Sequence, residues 1–434
     1  MRRLKAVSRH AMFIACLVSV ALFLATSCAP GAPVEEAPAV DATVYEGARL
    51  IVGDGSAPIE NASFVVQGGV FTVVGATADV DVPVGATRVD LTGKTVMPAI
   101  IDAHKHVAGT REELVDQLQR MAYYGVGMVL SLGLDETDLA AQVQNEAIPG
   151  AARLLTAGRG MTGEEPGRSQ VPYWLTTEDE ARAAVTELAG TDVDLIKIWV
   201  DDRNGQYQKL TPELYGAVID EAHANNLRVT AHIFALEDAK GLVEAGIDAF
   251  AHGVRDQDVD DEFVEMVQAR PNLFMVPNMP DRGVAVDMSW LSGTLTAEQV
   301  ADLQAGATDR PAAQEGFGIQ ARNLDRLNQA GMQVAFGTDG PTPWAPHVEM
   351  VDMVASGMTP AEVLVAATST SAALLAQSDL GSVAAGKRAD FIVLDANPLD
   401  DITNTRQIDS VYLGGSAIDR AALSSQWVGE AGGE

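Results

Sequence analysis

From about residue 96 to residue 380 the chain alternates short apolar runs with amphipathic stretches of helical period. The apolar runs at 96–101, 127–132, 152–157, 193–200, 227–234, 248–252, 272–277 and 333–337 read as strands. The stretches Arg111–Tyr124, Thr177–Leu188, Thr211–Asn225, Leu236–Ala245, Asp260–Gln268 and Phe317–Ala330 read as helices. Thr177 with Glu180 three residues on, and Thr211 followed by Pro212, are helix-start signals. Gly246 and Gly331 stand where helices should stop. Eight strands alternating with helices over about 280 residues predict a (β/α)₈ TIM barrel over 99–380. The alternative is an open doubly wound sheet, but no GxGxxG follows the first strand to mark a dinucleotide fold.

The flanks follow another rhythm. Ala48–Val52, Ala62–Val66, Val70–Val74 and Thr87–Leu91 are β-rich runs parted by turn residues such as Asp54-Gly55 and Gly68-Gly69. Asp390–Leu394 and Ser410–Leu413 repeat that texture near the other end. Neither fragment offers much core alone. A single small β-sandwich drawn from both ends, 42–98 and 381–420, is therefore expected, with 421–434 as a frayed tail.

The N-terminal segment reads as a targeting signal. Arg2, Arg3, Lys5 and Arg9 precede the apolar run Ala11–Thr26, which is too short for a typical spanning helix. Ala25-Thr26-Ser27-Cys28 and a Pro/Ala/Glu-rich linker (28–41) follow. This resembles a bacterial lipoprotein signal, residues 1–27, cut before Cys28. That residue would carry lipid and tether an exported protein to the cell envelope, on the periplasmic side of an outer membrane if there are two membranes. The alternatives are an ordinary signal peptide cut elsewhere and an uncleaved anchor. With Cys16 lost and Cys28 acylated, no thiol remains for catalysis or metal binding. The formal charge of −31 becomes −35 once the four cations leave, which argues against nucleic acid as a partner. A hydrophobic content of 47% excludes a mainly disordered chain.

Seven histidines are few enough to place one by one. His104 and His106 follow the first barrel strand in Ile100-Ile101-Asp102-Ala103-His104-Lys105-His106. Residues two apart in an extended segment share a face, so both imidazoles can reach one ion. His232 and His252 end the fifth and sixth strands, and Asp339 ends the eighth. Lys197 is a lone cation inside the apolar fourth strand. All six fall at or near the face where barrel enzymes build their sites. His10 leaves with the signal, His223 sits on a helix face, and His347 is either a contact behind the site, a substrate contact or a loop residue.

This arrangement resembles the amidohydrolase superfamily in its two-metal form. Asp194–Ile198, Gly357–Thr368 and Gly381–Leu394 resemble its imidazolonepropionase-like and Xaa-Pro or Xaa-Arg dipeptidase branch. Ala99 stands where the family commonly has Gly, so a strained backbone is expected there. The resemblance implies that His104, His106 and Asp339 hold one divalent ion and that His232 and His252 hold another. Lys197, carboxylated by CO₂ to a carbamate, would bridge both. The donors suit zinc, with manganese, cobalt and iron as alternatives. A hydroxide bridging the metals would attack the substrate carbonyl. Asp339 would carry its proton to the leaving amine, and His232 or His252 would orient the carbonyl or the tetrahedral intermediate.

Amide or peptide bonds of small, dipeptide-like substrates are the expected targets. Arg159, Arg168, Tyr173, Trp174, Arg203 and Tyr207 are candidates to bind a peptide carboxylate, and Pro277–Gly293 to form a lid over an apolar group. The alternatives are hydrolysis of a lactone, carbamate, cyclic imide or organophosphate ester, deamination, and a non-catalytic tethered binding protein. Lys197 counts against a deaminase, because deaminases of this fold usually use one metal and lack that lysine.

Overall fold

A computed structural model describes residues 41–429 except 136 and 145. The proposed signal, Cys28 and all but the last residue of the linker lie outside the described residues. Among those described, no helix is long and apolar enough to cross a membrane.

The first five strands are β1 (Ala42–Leu50), β2 (Ile59–Gln67), β3 (Val70–Ala76), β4 (Thr87–Asp90) and β5 (Thr95–Pro98). The run expected as the first barrel strand breaks at Ala99. Its first half, β5, pairs antiparallel with a strand from near the C-terminus, and its second half, β6 (Ile100–Lys105), enters the barrel. The switch occurs between adjacent amides. Ala99 N–H donates to Asp390 O in the small sheet, and Ile100 N–H donates to Gly125 O in the barrel. Ala99 is not in the left-handed region, so the expected strain is not there. Instead its methyl faces Gly127, where an added Cβ would come within 2.9 Å of it.

The barrel continues through β7 (Val126–Ser131), β8 (Arg153–Thr156), two short strands β9 (Met161–Thr162) and β10 (Tyr173–Trp174), and β11 (Ile196–Val200). Then come β12 (Val229–Ile233), β13 (Ala249–Ala251), β14 (Phe274–Val276) and β15 (Gln333–Val334). The eight long-range partners β6–β8 and β11–β15 run parallel in sequence order, as in a TIM barrel. They form two sheets rather than one closed ladder. Isolated backbone hydrogen bonds join the seams: Asp194 N to Thr156 O at 2.9 Å at one, and Ala103 N to Phe336 O at 2.8 Å with Thr338 N and Asp339 N to His104 O at the other. The fold is thus TIM-barrel-like with an added β domain. The capping box at Thr177, the Thr211 cap with Pro212, and the left-handed Gly246 stop all form as the sequence implies.

β16 (Phe391–Leu394), β17 (Ile408–Leu413) and β18 (Ser416–Ala417) complete one sheet in the order β18-β17-β16-β5-β1-β2-β3, with β4 also on β1. The strands from both chain ends thus join in one hydrogen-bonded network that branches at β1. β1 pairs with β4 through Thr43–Glu46 and with β5 through Arg49–Leu50, so it parts its two partners along its length. Aromatic rings from the two chain ends hold it. Tyr45 stacks on Phe64 at 4.9 Å, Phe391 stacks on Tyr412 at 4.4 Å, and the Tyr45 and Phe391 rings meet edge-on at 5.2 Å.

Two other expectations change. Residues 420–429 form a helix rather than a frayed tail, because Trp427 is buried: its Nε1 donates to Asp116 Oδ1 and its ring lies under the Arg120 guanidinium. His347 is not near the strand-end cluster. It is fully buried, its Nδ1 paired with Thr405 Oγ1 and its Nε2 with Tyr124 O, both at 3.0 Å.

Phe391 is fully buried at the junction of the two chain ends. Phe391→Ala should cost about 3–5 kcal/mol, read as a lower urea midpoint at unchanged slope. A loss below about 1 kcal/mol would show that the aromatic junction does not hold the sheet.

Candidate active site

The strand ends bring five of the six expected side chains round one cavity of about 220 Å³. His104, His106, His232, His252 and Asp339 line it, and Lys197 lies buried beneath it beside the lining residue Trp199. His104 Nε2 and His106 Nε2 are 3.3 and 3.1 Å from Asp339 Oδ1, and His252 Nε2 is 3.8 Å from Asp339 Oδ2. One ligand atom each from His104, His106 and Asp339 fits within 4.8 Å. The His232 and His252 ring centroids lie 4.7 Å apart, and His252 is 5.1 Å from His104.

Local structure explains the convergence. Gly337 lets the eighth strand approach the first, since an added Cβ would sit 2.8 Å from His104 N and 2.7 Å from its Cβ. Gly133 has φ +92°, and a Cβ there would strike Lys197 Cγ at 2.7 Å. Asp339 (φ +64°) and His252 (φ +109°) are themselves left-handed, an uncommon state that clusters at functional sites. His104 Nδ1 lies 2.8 Å from Asn278 Oδ1, an arrangement that places the proton on Nδ1 and frees Nε2 as a donor to an ion.

Burial sets the electrostatics. It pushes the His104 imidazole down to about 4, with Lys197 adding to the shift, and holds His232 and His252 well below the usual range. All three imidazoles are therefore neutral near pH 7, the form that binds metals. Burial also lowers Lys197 to about 7, a shift that Asp339 opposes and Arg203 and Arg255 reinforce. Burial raises Asp339, but the adjacent His104 and His106 imidazoles outweigh it and hold the carboxyl far below the carboxylate range.

The donor set fits divalent ions. His104 Nε2, His106 Nδ1 and Lys197 Nζ are buried polar atoms without an aligned hydrogen-bond partner among the described residues. Such atoms are costly unless something satisfies them, and imidazole with carboxylate suits zinc-like ions.

Other neighbours were not evident from the sequence. Asp201 Oδ2 is 2.9 Å from His232 Nε2 and 2.8 Å from Arg203 Nη1. Glu165 sits between Arg203 (3.2 Å) and Arg168 (2.9 Å). Arg255 Nη2 is 3.2 Å from His232 Nε2 and donates to Ile233 O at 2.7 Å. The only textual hint was charge immediately after an apolar run, as in Val200-Asp201. Of the six loop residues considered for substrate, Arg168 and Arg203 line the cavity. Arg159 instead donates to Val171 O and lies over the Tyr173 ring. Trp174 and Tyr207 do not line it either, and Tyr207 donates to Pro166 O. His223 is on a helix face and pairs with Asp248 at 2.9 Å, as expected. The segment after β14 covers a second cavity of about 640 Å³, with walls including Met279, Val284, Met288 and Leu303.

The scaffold is barrel-like, and at its strand ends His104, His106 and Asp339 form a group that could hold a metal ion. The chain belongs to the amidohydrolase family, whose description "Amidohydrolase family" matches residues 95–418. It is 29% identical over 387 residues to the imidazolonepropionase of Deinococcus radiodurans, covering 83% of this chain and 92% of that one. A structure described as a prolidase from Bifidobacterium longum matches with TM-score 0.71 and 27% identity, covering 90% of this chain and 99% of that one. A Xaa-Pro dipeptidase with bound methionine shares the fold at TM-score 0.69 and 22% identity, covering 87% and 99%. The protein is a hydrolase acting on carbon–nitrogen bonds.

Lys197 is protonated in the unfolded chain up to about pH 10.5, but only up to about pH 7 in the folded one. The unfolded state therefore binds the extra proton in between, and metal-free stability rises with pH across that window. Lys197→Met should stabilise the metal-free protein at pH 7, and its advantage should shrink by roughly 1.4 kcal/mol per pH unit above pH 7. Urea unfolding of both forms at pH 7 and 9 reads this. A constant difference would contradict the buried-amine assignment.

Proposed function

We propose that the protein is a two-metal amidohydrolase that cleaves amide or peptide C–N bonds of small, dipeptide-like substrates. The observation that carries this reading is the ligand cluster: three histidines close on Asp339, with the His232 ring beside His252 and an unpartnered Lys197 amine beneath. His104, His106 and Asp339 would hold one ion, zinc by donor chemistry, and His232 and His252 the other. A lysine shifted to about 7 is substantially neutral at physiological pH. Its lone pair can attack CO₂, forming an N–C bond and releasing one proton. The resulting carbamate would supply anionic oxygens to both ions. When bound, the ions supply an acidified water and polarise the scissile carbonyl.

The chain's own residues do the rest. Asp339 accepts a proton from the attacking water on a carboxylate oxygen and returns it to the leaving nitrogen. His232 and His252, fixed at strand ends, orient the carbonyl. For His232 to bind an ion, its Nε2 must exchange the Asp201 contact for the metal. Arg168, with a half-exposed side chain at the cavity, is placed to meet a substrate carboxylate. The small cavity and the fold shared with a Xaa-Pro dipeptidase support a short peptide. A cyclic amide is the second reading, favoured by the likeness to an imidazolonepropionase.

The N-terminal residue pattern supports export and a lipid anchor at Cys28 as part of this reading. Palmitate labelling that persists in Cys28→Ala would refute the anchor.

Purified protein should contain about two divalent ions per chain and hydrolyse N-acyl amino acids or Xaa-Pro and Xaa-Arg dipeptides. Chelator should abolish turnover. Asp339→Asn should lower kcat by about 10²–10⁴-fold. Lys197→Ala should lose both turnover and bound metal, and retention of both would exclude the bridging role. A metal-loaded protein active only on lactones or esters would move the reading to another bond.

A further inference from the structure

Lys105 stands between the two histidines of the first barrel strand, yet it does not line the cavity and is wholly buried. Its Nζ donates to Gly340 O at 3.0 Å and Thr342 O at 2.8 Å, and lies 3.6 Å from Asp102 Oδ2. Asp102, also wholly buried, binds the same loop from the other side. Its Oδ1 accepts from Thr338 N (3.1 Å) and His104 N (3.2 Å), and its Oδ2 accepts from Thr338 Oγ1 (2.7 Å).

The segment held this way is Thr338–Thr342, with Asp339 at its centre. Asp339 has left-handed φ, which an aspartate keeps only where its surroundings fix it. Its own amide donates to His104 O at 2.7 Å. Beyond it, Pro341 and Pro343 have no N–H to donate, and the next helix begins only at Ala345. The Lys105 ammonium therefore ties down Gly340 O and adds to the 3.4 Å bond that Thr342 O accepts from Ala345 N. A lysine suits the position because one ammonium has three donors, enough for two carbonyls and a carboxylate.

We propose that Lys105 is a positioning residue: with Asp102 it clamps the Thr338–Thr342 segment on both sides of Asp339, so that the carboxylate meets His104 and His106. This rests on the reading of Asp339 as ligand and proton carrier. The clamp itself concerns the metal-free fold and can be read without turnover.

The test compares the full chain with Lys105→Met, Lys105→Gln, Thr338→Val and Leu118→Ala. The last removes a buried side chain outside the site and serves as a stability control. Hydrogen exchange of the Thr338, Asp339, Gly340 and Thr342 amides is followed in metal-free protein. In Lys105→Met, exchange should quicken at least tenfold, with a smaller effect in Lys105→Gln, which keeps an amide donor. Zn²⁺ affinity, read by chelator competition, should fall at least tenfold. On any substrate that the wild type hydrolyses, kcat should fall at least tenfold with KM within twofold. Leu118→Ala should leave segment exchange and Zn²⁺ affinity within twofold. Exchange and Zn²⁺ affinity unchanged in Lys105→Met would overturn the clamp, as would equal changes in Leu118→Ala. If Lys105→Met does not fold, Lys105→Gln and Thr338→Val decide by the same criteria. A wild type that binds no Zn²⁺ and cleaves no amide would sink the proposed function, while the exchange data would still judge the clamp.

Discussion

An amine buried at the heart of the barrel, without a hydrogen-bond partner among the described residues, is the constraint around which the site is arranged. Lys197 is fully enclosed, and its neighbours are an indole and, farther out, two guanidinium groups and a carboxylate. Taking a cation out of water is expensive, so the group moves toward neutrality. The neighbouring imidazoles are neutral for the same reason. What results is a set of lone pairs facing one cavity, with a single strongly acidic carboxylate, Asp339, among them. Such a set is poorly satisfied by protein groups and well suited to divalent ions.

The first and third residues of His104-Lys105-His106 face this cavity, while the second is turned away from it. Lys105 is as deeply buried as Lys197, yet it donates to two carbonyls and lies beside the Asp102 carboxylate at 3.6 Å. The contrast separates two uses of a buried lysine. Fully paired, it fixes a loop; unpaired, it is available to chemistry. Burial alone does not distinguish them, and the hydrogen-bond inventory does.

The rest of the fold serves to hold strand ends in register. The small sheet takes β5 and the barrel takes β6, with the change made between the amides of Ala99 and Ile100. The strand that carries His104 is thereby anchored at its base to Phe391–Leu394 from the far end of the chain. His347 adds a second tie, bonded to Tyr124 at the base of the barrel and to Thr405 in the 3₁₀ turn before β17. Its ring is thus structural, although its sequence neighbourhood just after Asp339 suggested a place near the site.

Much of this was legible in the chain itself. Period and caps gave the alternating strands and helices, because helix and strand patterns are set locally by which face must be buried. The six chemistry-bearing residues stood out because a cation or imidazole at the end of an apolar run conflicts with its surroundings. The sequence did not reveal Asp102, Asn278, Asp201, Glu165 or Arg255, whose contacts span separations of 22 to 236 residues apart from a few local ones. Nor did it reveal that Lys105 turns from the cavity, that Trp427 packs down as a helix, or that the small sheet branches at β1. Local sequence determined which elements form and which of their residues cannot rest in an apolar core. Only the tertiary structure decided which of those residues meet, because that depends on loop closure and packing between distant segments, which no local pattern encodes.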